Sequence, residues 1–278
     1  MATDVLLIDG SNLAHRAYNA ARQSRPEALA MLDRMLQRYV SALRPAAVAI
    51  AWDSATSWRR EIYPEYREDR FRPPGIDEFI AASWSNTHRP LRYVDAPGHE
   101  ADDVIASLVD QARQLDWSTP DGRARAPTIV LVSGDQDLLQ LVAGDVSIVI
   151  PGGPSLPLNP NNVYSTRGLW PTQVPLFQAL AGDRADNIPG LPGIGDVTAL
   201  KALRGRPHPE ANIESILDRL PVGRLRCTDE EALELTHRWL RLTRLATDAP
   251  VSRSLEDCYL GGGGHGVTRN SAAVSSSR

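Results

Sequence analysis

Asp4–Asp9 reads DVLLID. Four consecutive apolar residues closed by a carboxylate and then Gly10 are the pattern of a buried strand that stops at a turn. The same pattern recurs twice. Ala46–Trp52 (AAVAIAW) runs into Asp53, and Thr128–Val132 (TIVLV) runs through Ser133–Gly134 into Asp135. Between these strands the apolar period changes. Ala28, Leu32, Met35, Leu36, Tyr39, Val40 and Leu43 recur at helical spacing until Arg44–Pro45, and Val104, Leu108, Ala112 and Leu115 form one stripe of a helix predicted over Ala101–Leu115. Continuous apolar strands alternating with amphipathic helices predict an α/β fold, with a central mostly parallel sheet covered by helices on both faces. Ligands in such folds bind beyond the carboxyl ends of the strands, and each of the three strands brings an aspartate to that edge.

Outside this frame, Ser118–Pro127 and Pro151–Asn162 are rich in Pro, Gly and polar residues and read as loops. From Pro171 onward the chain reads as mostly helical, punctuated by Gly and Pro. The expected organisation is therefore an α/β core over 1–170 with an insertion at 54–97, a helical part over 171–260, and a Gly/Ser-rich flexible tail over 261–278 that cannot build a core. The 278 residues are 42% hydrophobic and 23% charged, enough to bury a core and unlike a disordered chain. Two cysteines allow at most one bridge, no leader pattern opens the chain, and no apolar run reaches the roughly 18–20 residues of a membrane span. A reduced, cytoplasmic protein without a membrane partner is expected.

Acidic residues collect at the ends of the predicted elements: Asp9, Asp53, Glu100, Asp102, Asp103, Asp135, Asp137, Asp183 and Asp186. Each alone could be a turn residue or a helix cap. Gathered in one crevice they would repel one another, which divalent cations relieve. Oxygen-only ligands suit Mg2+ or Mn2+, and no Cys/His constellation suggests zinc. Asp135 and Asp137 would project to one side of an extended segment, whereas Asp183 and Asp186 would be neighbours on a helical turn. Glu100 can join Asp102 only if it precedes or opens its helix. Paired divalent ions about 4 Å apart are a common device for displacement at phosphorus. The net charge is −4, yet without these nine acids 25 acidic residues face 30 basic ones, so the remaining surface is net positive.

Two further stretches fit a nucleic-acid substrate. Trp58–Pro74 (WRREIYPEYREDRFRPP) interleaves arginines with aromatic rings, which suits phosphates and unpaired bases, although a solvated helix with internal ion pairs has the same composition. Asn187–Asp196 (NIPGLPGIGD) is a tight Gly/Pro hairpin that opens a helix and can present backbone N–H groups to a phosphate.

Taken together, LLIDGSNLAHRAYNA (6–20), the strand ending at Asp53, WRREIYPEYREDR (58–70), GHEADDVIASL (98–108), IVLVSGDQDLLQLV (129–142) and LAGDRADNIPGLPGIGDVTALKAL (180–203) resemble the 5′-nuclease family. That family comprises the 5′-3′ exonuclease domain of bacterial DNA polymerase I, its free-standing phage and bacterial relatives, and the flap endonucleases. The resemblance implies a PIN-like nuclease core followed by a helix-hairpin-helix part. It implies a metal-dependent 5′-3′ exonuclease or 5′-flap endonuclease acting on branched or nicked DNA, with RNA in hybrids as a further target, and a monomer is expected. One metal would be held by Asp9, Asp53, Glu100 and Asp102, with Asp103 close by, and the other by Asp135, Asp137, Asp183 and Asp186. The catalytic set carried over is Asp9, Asp53, Arg67, Arg70, Glu100, Asp102, Asp135 and Asp137. DNA contacts would come from Arg16, Tyr66, Arg67 and Arg70, and from Ile188, Gly190, Leu191, Gly193, Ile194 and Gly195 of the hairpin, where carbonyls would also hold K+. The family usually has lysine where this chain has Arg67, which keeps the charge but not the proton-donating capacity. Competing readings are a non-catalytic DNA-junction binder and a PIN-type ribonuclease. The intact acid set argues against the first and the glycine hairpin against the second.

Overall fold

The first strand, β1 (Val5–Asp9), is buried at every residue. It pairs in parallel with β2 (Ala47–Ala51) on one side and β6 (Ile129–Val132) on the other, in the register Ile8↔Ile50 and Ile8↔Val132. β3 (Arg92–Val94) and β7 (Val146–Val149) complete a five-stranded, wholly parallel sheet in the order β3-β2-β1-β6-β7. In this computed structural model residues 3–85, 91–119, 121–153, 157–207, 212–221, 223–260 and 268–269 are described. The tail over 261–278 lies outside the described residues apart from Thr268–Arg269.

The two faces of the sheet carry separate apolar layers because strand residues alternate in direction. Val5 and Leu7 with Ala47, Ala49, Ile129 and Leu131 face α5 (Ala101–Gln114), meeting Val104, Ile105 and Leu108. Leu6, Ile8, Val48, Ile50, Val130 and Val132 face α1 (Gly10–Ala20), α2 (Arg25–Leu43) and α4 (Ile76–Ser85). Burial on both faces explains why these strands read as unbroken apolar runs. A third core is helical. It joins α7 (Val174–Ala181), α8 (Asp196–Leu203), α9 (Ile213–Leu217) and α10 (Asp229–Thr243), and Tyr66 of the insertion packs into it. Among the described residues no helix is long and apolar enough to cross a membrane. Cys227 and Cys258 are both free.

Strand order fixes where a ligand can sit. The chain builds outward from β1 to β2 and β3, then returns to the other side of β1 for β6 and β7, so the order reverses between β1 and β6. The carboxyl ends at such a reversal open a crevice, here between Asp9 and Ser133–Asp135. Gly10 is needed there. A Cβ on it would lie 2.7 Å from both Ile50 and Trp52 side chains, so only glycine lets α1 start so close to β2.

Some predicted boundaries differ. The helix expected to reach Leu115 ends at Gln114, because the chain turns extended as β4 (Leu115–Ser118). The predicted loop 118–127 contains the short β5 (Ala124–Arg125), antiparallel to β4, and Thr268–Arg269 pairs on the other side of β4 as β8. The predicted loop 151–162 already contains the start of α6 (Pro160–Arg167), capped by the Asn159 side chain, which accepts from Asn162 N at 3.1 Å.

Candidate metal and nucleic-acid site

Asp9 and the residues before α5 are set by helix starts. Asp9 caps α1, accepting from Asn12 N at 2.8 Å, and also accepts from Ser133 Oγ at 2.6 Å. The same Ser133 hydroxyl accepts from Asp135 N at 2.9 Å, so one side chain ties the end of β1 to the loop after β6. Glu100 is the N-cap residue of α5, the position it needs to share a site with Asp102. Asp53 is exposed and accepts from Ala101 N, the first helical N–H of α5, at 2.9 Å. The two helix N-termini thus point partial positive charge at these acids, which offsets part of their repulsion.

On the far side the acids come from two tight turns. Asp137 opens a 3-10 turn (Asp137–Leu141), and its N–H donates to Asp135 Oδ1 at 3.0 Å. The two are therefore brought together by a closed turn and not by the extended segment the spacing suggested. Likewise Asp183 and Asp186 do not lie on a helical turn, because α7 ends at Ala181. A loop closed by the Asp183↔Ile188 bridge carries them, and Asp183 Oδ1 accepts from Ala185 N at 2.8 Å. Gly182, at φ +87, makes that exit from α7 possible, and a Cβ there would come 2.7 Å from Ile188 O.

The crevice divides electrostatically into two halves. Arg59 is 2% exposed and spans Asp103 with bonds of 2.7 and 2.8 Å, while its Nε donates to Leu242 O at 2.7 Å. Asp103 additionally accepts from Trp58 Nε1 and Ala246 N. The Arg59 guanidinium and these hydrogen bonds hold Asp103 below its ordinary pKa despite its burial. Asp103, grouped with the ligands by resemblance, is instead turned to Arg59 and locks the insertion to α5 and α10. Arg67 donates from Nε to Asp186 Oδ1 at 2.5 Å and places Nη1 3.0 Å from Glu100 Oε1. The Tyr66 hydroxyl lies 2.7 Å from Asp186 and 3.1 Å from Glu100. One hydroxyl hydrogen serves two carboxyls there, and burial pushes Glu100 up toward the protonated form against the pull of Arg67. Arg67 adopts a left-handed backbone at φ +53, a conformation of the kind that clusters at functional sites.

In the other half no acid is ion-paired among the described residues, and Arg67 acts on Asp102 only at longer range. Ligand oxygens of Asp102, Asp135 and Asp137 lie within 4.8 Å of one another, the one such group of acids among the described residues. Burial, then the neighbouring charges led by Asp135, pushes Asp102 and Asp137 well above the usual aspartate range. Burial and then Asp53 push Asp9 up to about 7. Asp183 is raised as well, by burial and Asp186. This set cuts across the grouping implied by resemblance, since Asp102 sits with Asp135 and Asp137, and Glu100 and Asp186 are joined through Arg67 and Tyr66.

A residue missed from the sequence completes this half. Gln178 of α7 is buried, and its Nε2 donates to Asp137 Oδ1 at 2.5 Å and to Asp183 Oδ2 at 3.0 Å. Its Oε1 is buried with no partner among the described residues. Raised carboxyls with no ion pair among the described residues, beside an orphaned acceptor, are a donor set that fits hard divalent cations with their water. Gln178 and Arg59 carry no sequence signal for these roles, because one sits on an apolar helix and the other among arginines read as phosphate contacts.

The remaining candidates separate. Arg16 is exposed, and its Nη2 donates to Pro151 O at 2.7 Å. Arg70 is exposed next to the turn at Arg67, and its charge with that of Arg72 opposes protonation of His15, which burial already holds below its usual value. In the hairpin Ile188, Leu191 and Ile194 are core side chains, 4%, 2% and 5% exposed, so what these positions leave for a ligand is backbone. Gly190 and Gly193 meet protein backbone: a Cβ would come 2.3 Å from Gly182 N in the first and 2.0 Å from Arg224 O in the second. Gly195 is open and caps α8, leaving the N–H groups of that helix start facing outward.

Comparison with known proteins agrees with this architecture. The family described as 5′-3′ exonuclease, N-terminal resolvase-like domain, matches residues 4–167, and 5′-3′ exonuclease, C-terminal SAM fold, matches 169–263. The chain is 34% identical over 257 residues to the thermostable DNA polymerase I of Thermus filiformis, covering 89% of this chain and 29% of that protein. It is 32% identical over 269 residues to DNA polymerase I of Mycobacterium tuberculosis, covering 90% and 28%. The chain thus spans under a third of these relatives. Among solved structures it is similar in fold to the 5′-exonuclease of T5 with bound zinc (TM-score 0.69, 21% identity, 88% of this chain and 90% of that one). It is also similar to the catalytic core of Rad2 in complex with DNA substrate (TM-score 0.52, 14% identity, 89% and 73%).

Proposed function

The chain belongs to the 5′-3′ exonuclease family of nucleases, and on that premise we propose that it hydrolyses phosphodiester bonds near 5′ ends where single-stranded DNA meets duplex, in replication and repair. The observation that carries this reading is the convergence of Asp102, Asp135 and Asp137, with Asp9 close enough to raise Asp102, at the sheet's switch point and without an ion pair among the described residues. The cofactors we assign are two divalent cations, Mg2+ or Mn2+, which supply Lewis-acid polarisation of the phosphate and an activated water. Asp9, Asp53, Glu100, Asp102, Asp135, Asp137, Asp183 and Asp186 are the oxygen donors available to them.

The chain's own groups account for the rest of the chemistry. Arg67, held over Glu100 and Asp186, is the cation placed to transfer its donors to a phosphate once those acids are neutralised, which preorganises charge where it develops. Tyr66 fixes the two acids beneath it. Arg16 and Arg70, both exposed, add positive charge for a nucleic-acid strand. The α8 start at Gly195 offers backbone N–H groups to duplex phosphate, and K+ on the hairpin carbonyls is the further part of the proposed grip. RNA/DNA hybrids, a cytoplasmic setting and a monomeric state complete the proposal.

A labelled 5′-flap duplex tests it. Release of the flap in Mg2+, its loss in EDTA, and a fall of at least about hundredfold for Asp135→Asn support the reading. Cleavage indifferent to EDTA overturns it. Tight binding without turnover favours a junction-binding role, and preference for single-stranded RNA favours a ribonuclease.

A further inference from the structure

Asp137 and Asp183 come from separate turns, one following β6 and one following α7, and among the described residues no arginine or lysine bonds to either. What joins them is the Gln178 amide, whose single nitrogen donates to both carboxylates. Its two hydrogens are fully used by these bonds, so the orientation of the amide is fixed and Oε1 is left buried with no donor among the described residues. Gln178 is 8% exposed, and an unpaired acceptor at that burial is costly unless something supplies a hydrogen.

We propose that Gln178 is a positioning residue for one of the two cation sites: a neutral clamp that holds the Asp137 and Asp183 carboxylates at a fixed spacing and offers Oε1 to water carried in with the cation. The inference rests on the metal-dependent reading above. Neutrality is the point of the residue type. A lysine or arginine at this position would compensate the acids permanently and compete with a cation, as Arg67 does for Glu100 and Asp186. A leucine would leave the two turns to splay under their own repulsion. Partners of this kind, bonded to ligating carboxylates, typically contribute 10- to 100-fold to metal affinity.

The test is Mn2+ binding to EDTA-stripped protein, followed by the electron paramagnetic resonance signal of free Mn2+, together with thermal melting in EDTA. Wild-type protein is expected to bind two Mn2+. Gln178→Met, close in volume and without donors, is expected to weaken one of the two by 10- to 100-fold and leave the other within about twofold. In an Asp183→Asn background the same change is expected to cost less than threefold, because the clamp then has only one charged end. Gln178→Lys, which keeps donors to both acids, is expected to melt higher than wild type in EDTA at pH 8 and still bind the second Mn2+ at least tenfold more weakly. Unchanged affinities in both variants, or an equal loss at both sites together with a lowered melting temperature, overturn the clamp while leaving the nuclease reading intact. A wild-type protein that binds no Mn2+ overturns both.

Discussion

Replacing Asp9 with asparagine is expected to stabilise the cation-free protein, and increasingly so as pH rises. Burial and the Asp53 charge move the Asp9 carboxyl from its ordinary 3.8 up to about 7 in the folded chain. A carboxyl raised on folding favours the folded state fully below the unfolded value, and that advantage is lost as pH climbs through the folded value. Above pH 7 the ionised group therefore costs about 4 kcal/mol relative to the protonated one, and at pH 5 less than half of that, at about 1.4 kcal/mol per unit. Asparagine stays neutral throughout, and its Oδ1 can still accept from Asn12 N. The stability gap between Asp9→Asn and wild type should widen by about 3 kcal/mol between pH 5 and pH 8, or about 6 °C in melting temperature for a chain of this size. Circular dichroism melts in EDTA at the two pH values measure it. Added Mg2+ should reverse the order at pH 8, because only wild type keeps the carboxylate. A gap that is constant with pH, or one that favours wild type more at pH 8, would refute the reasoning.

Other perturbations follow from the same geometry. Arg59→Met strands the buried Asp103 charge and should destabilise the protein by about 3–5 kcal/mol, read as a large drop in melting temperature at pH 8. Arg67→Ala should lower kcat on a flap substrate by roughly hundredfold, while Mn2+ affinity stays the same or rises as Glu100 and Asp186 lose their competing cation. Gly193→Ala places a Cβ against Arg224 O at φ +88 and should destabilise by more than about 1 kcal/mol, whereas Gly195→Ala, in open space, should leave the melting temperature within about a degree.

Much of the sheet was legible because burial on both faces leaves an unbroken apolar run that ends where the backbone must turn, at Asp9, Asp53 and Asp135. Glu100 was legible as a helix cap for a similar reason, since the geometry of a helix allows it no other way to meet Asp102. Spacing misled where acids sit in irregular turns. Asp183 and Asp186 keep company through a loop closed by backbone bonds, which has no period to read. Asp103 shares its neighbours' chemistry, and only the burial of Arg59 against it separates it from them. The hairpin apolar residues Ile188, Leu191 and Ile194 show the converse. A motif associated with a DNA grip is built on side chains that serve the core, and what it leaves for a ligand is backbone.

Anomalous diffraction from a crystal soaked in Mn2+ measures the central claim most directly. The account predicts a peak among the Asp102, Asp135 and Asp137 carboxylates, with a second cation within about 4 Å of it, and both lost in Asp135→Asn. Peaks confined to other acids, or none at the sheet's switch point at saturating Mn2+, would contradict it.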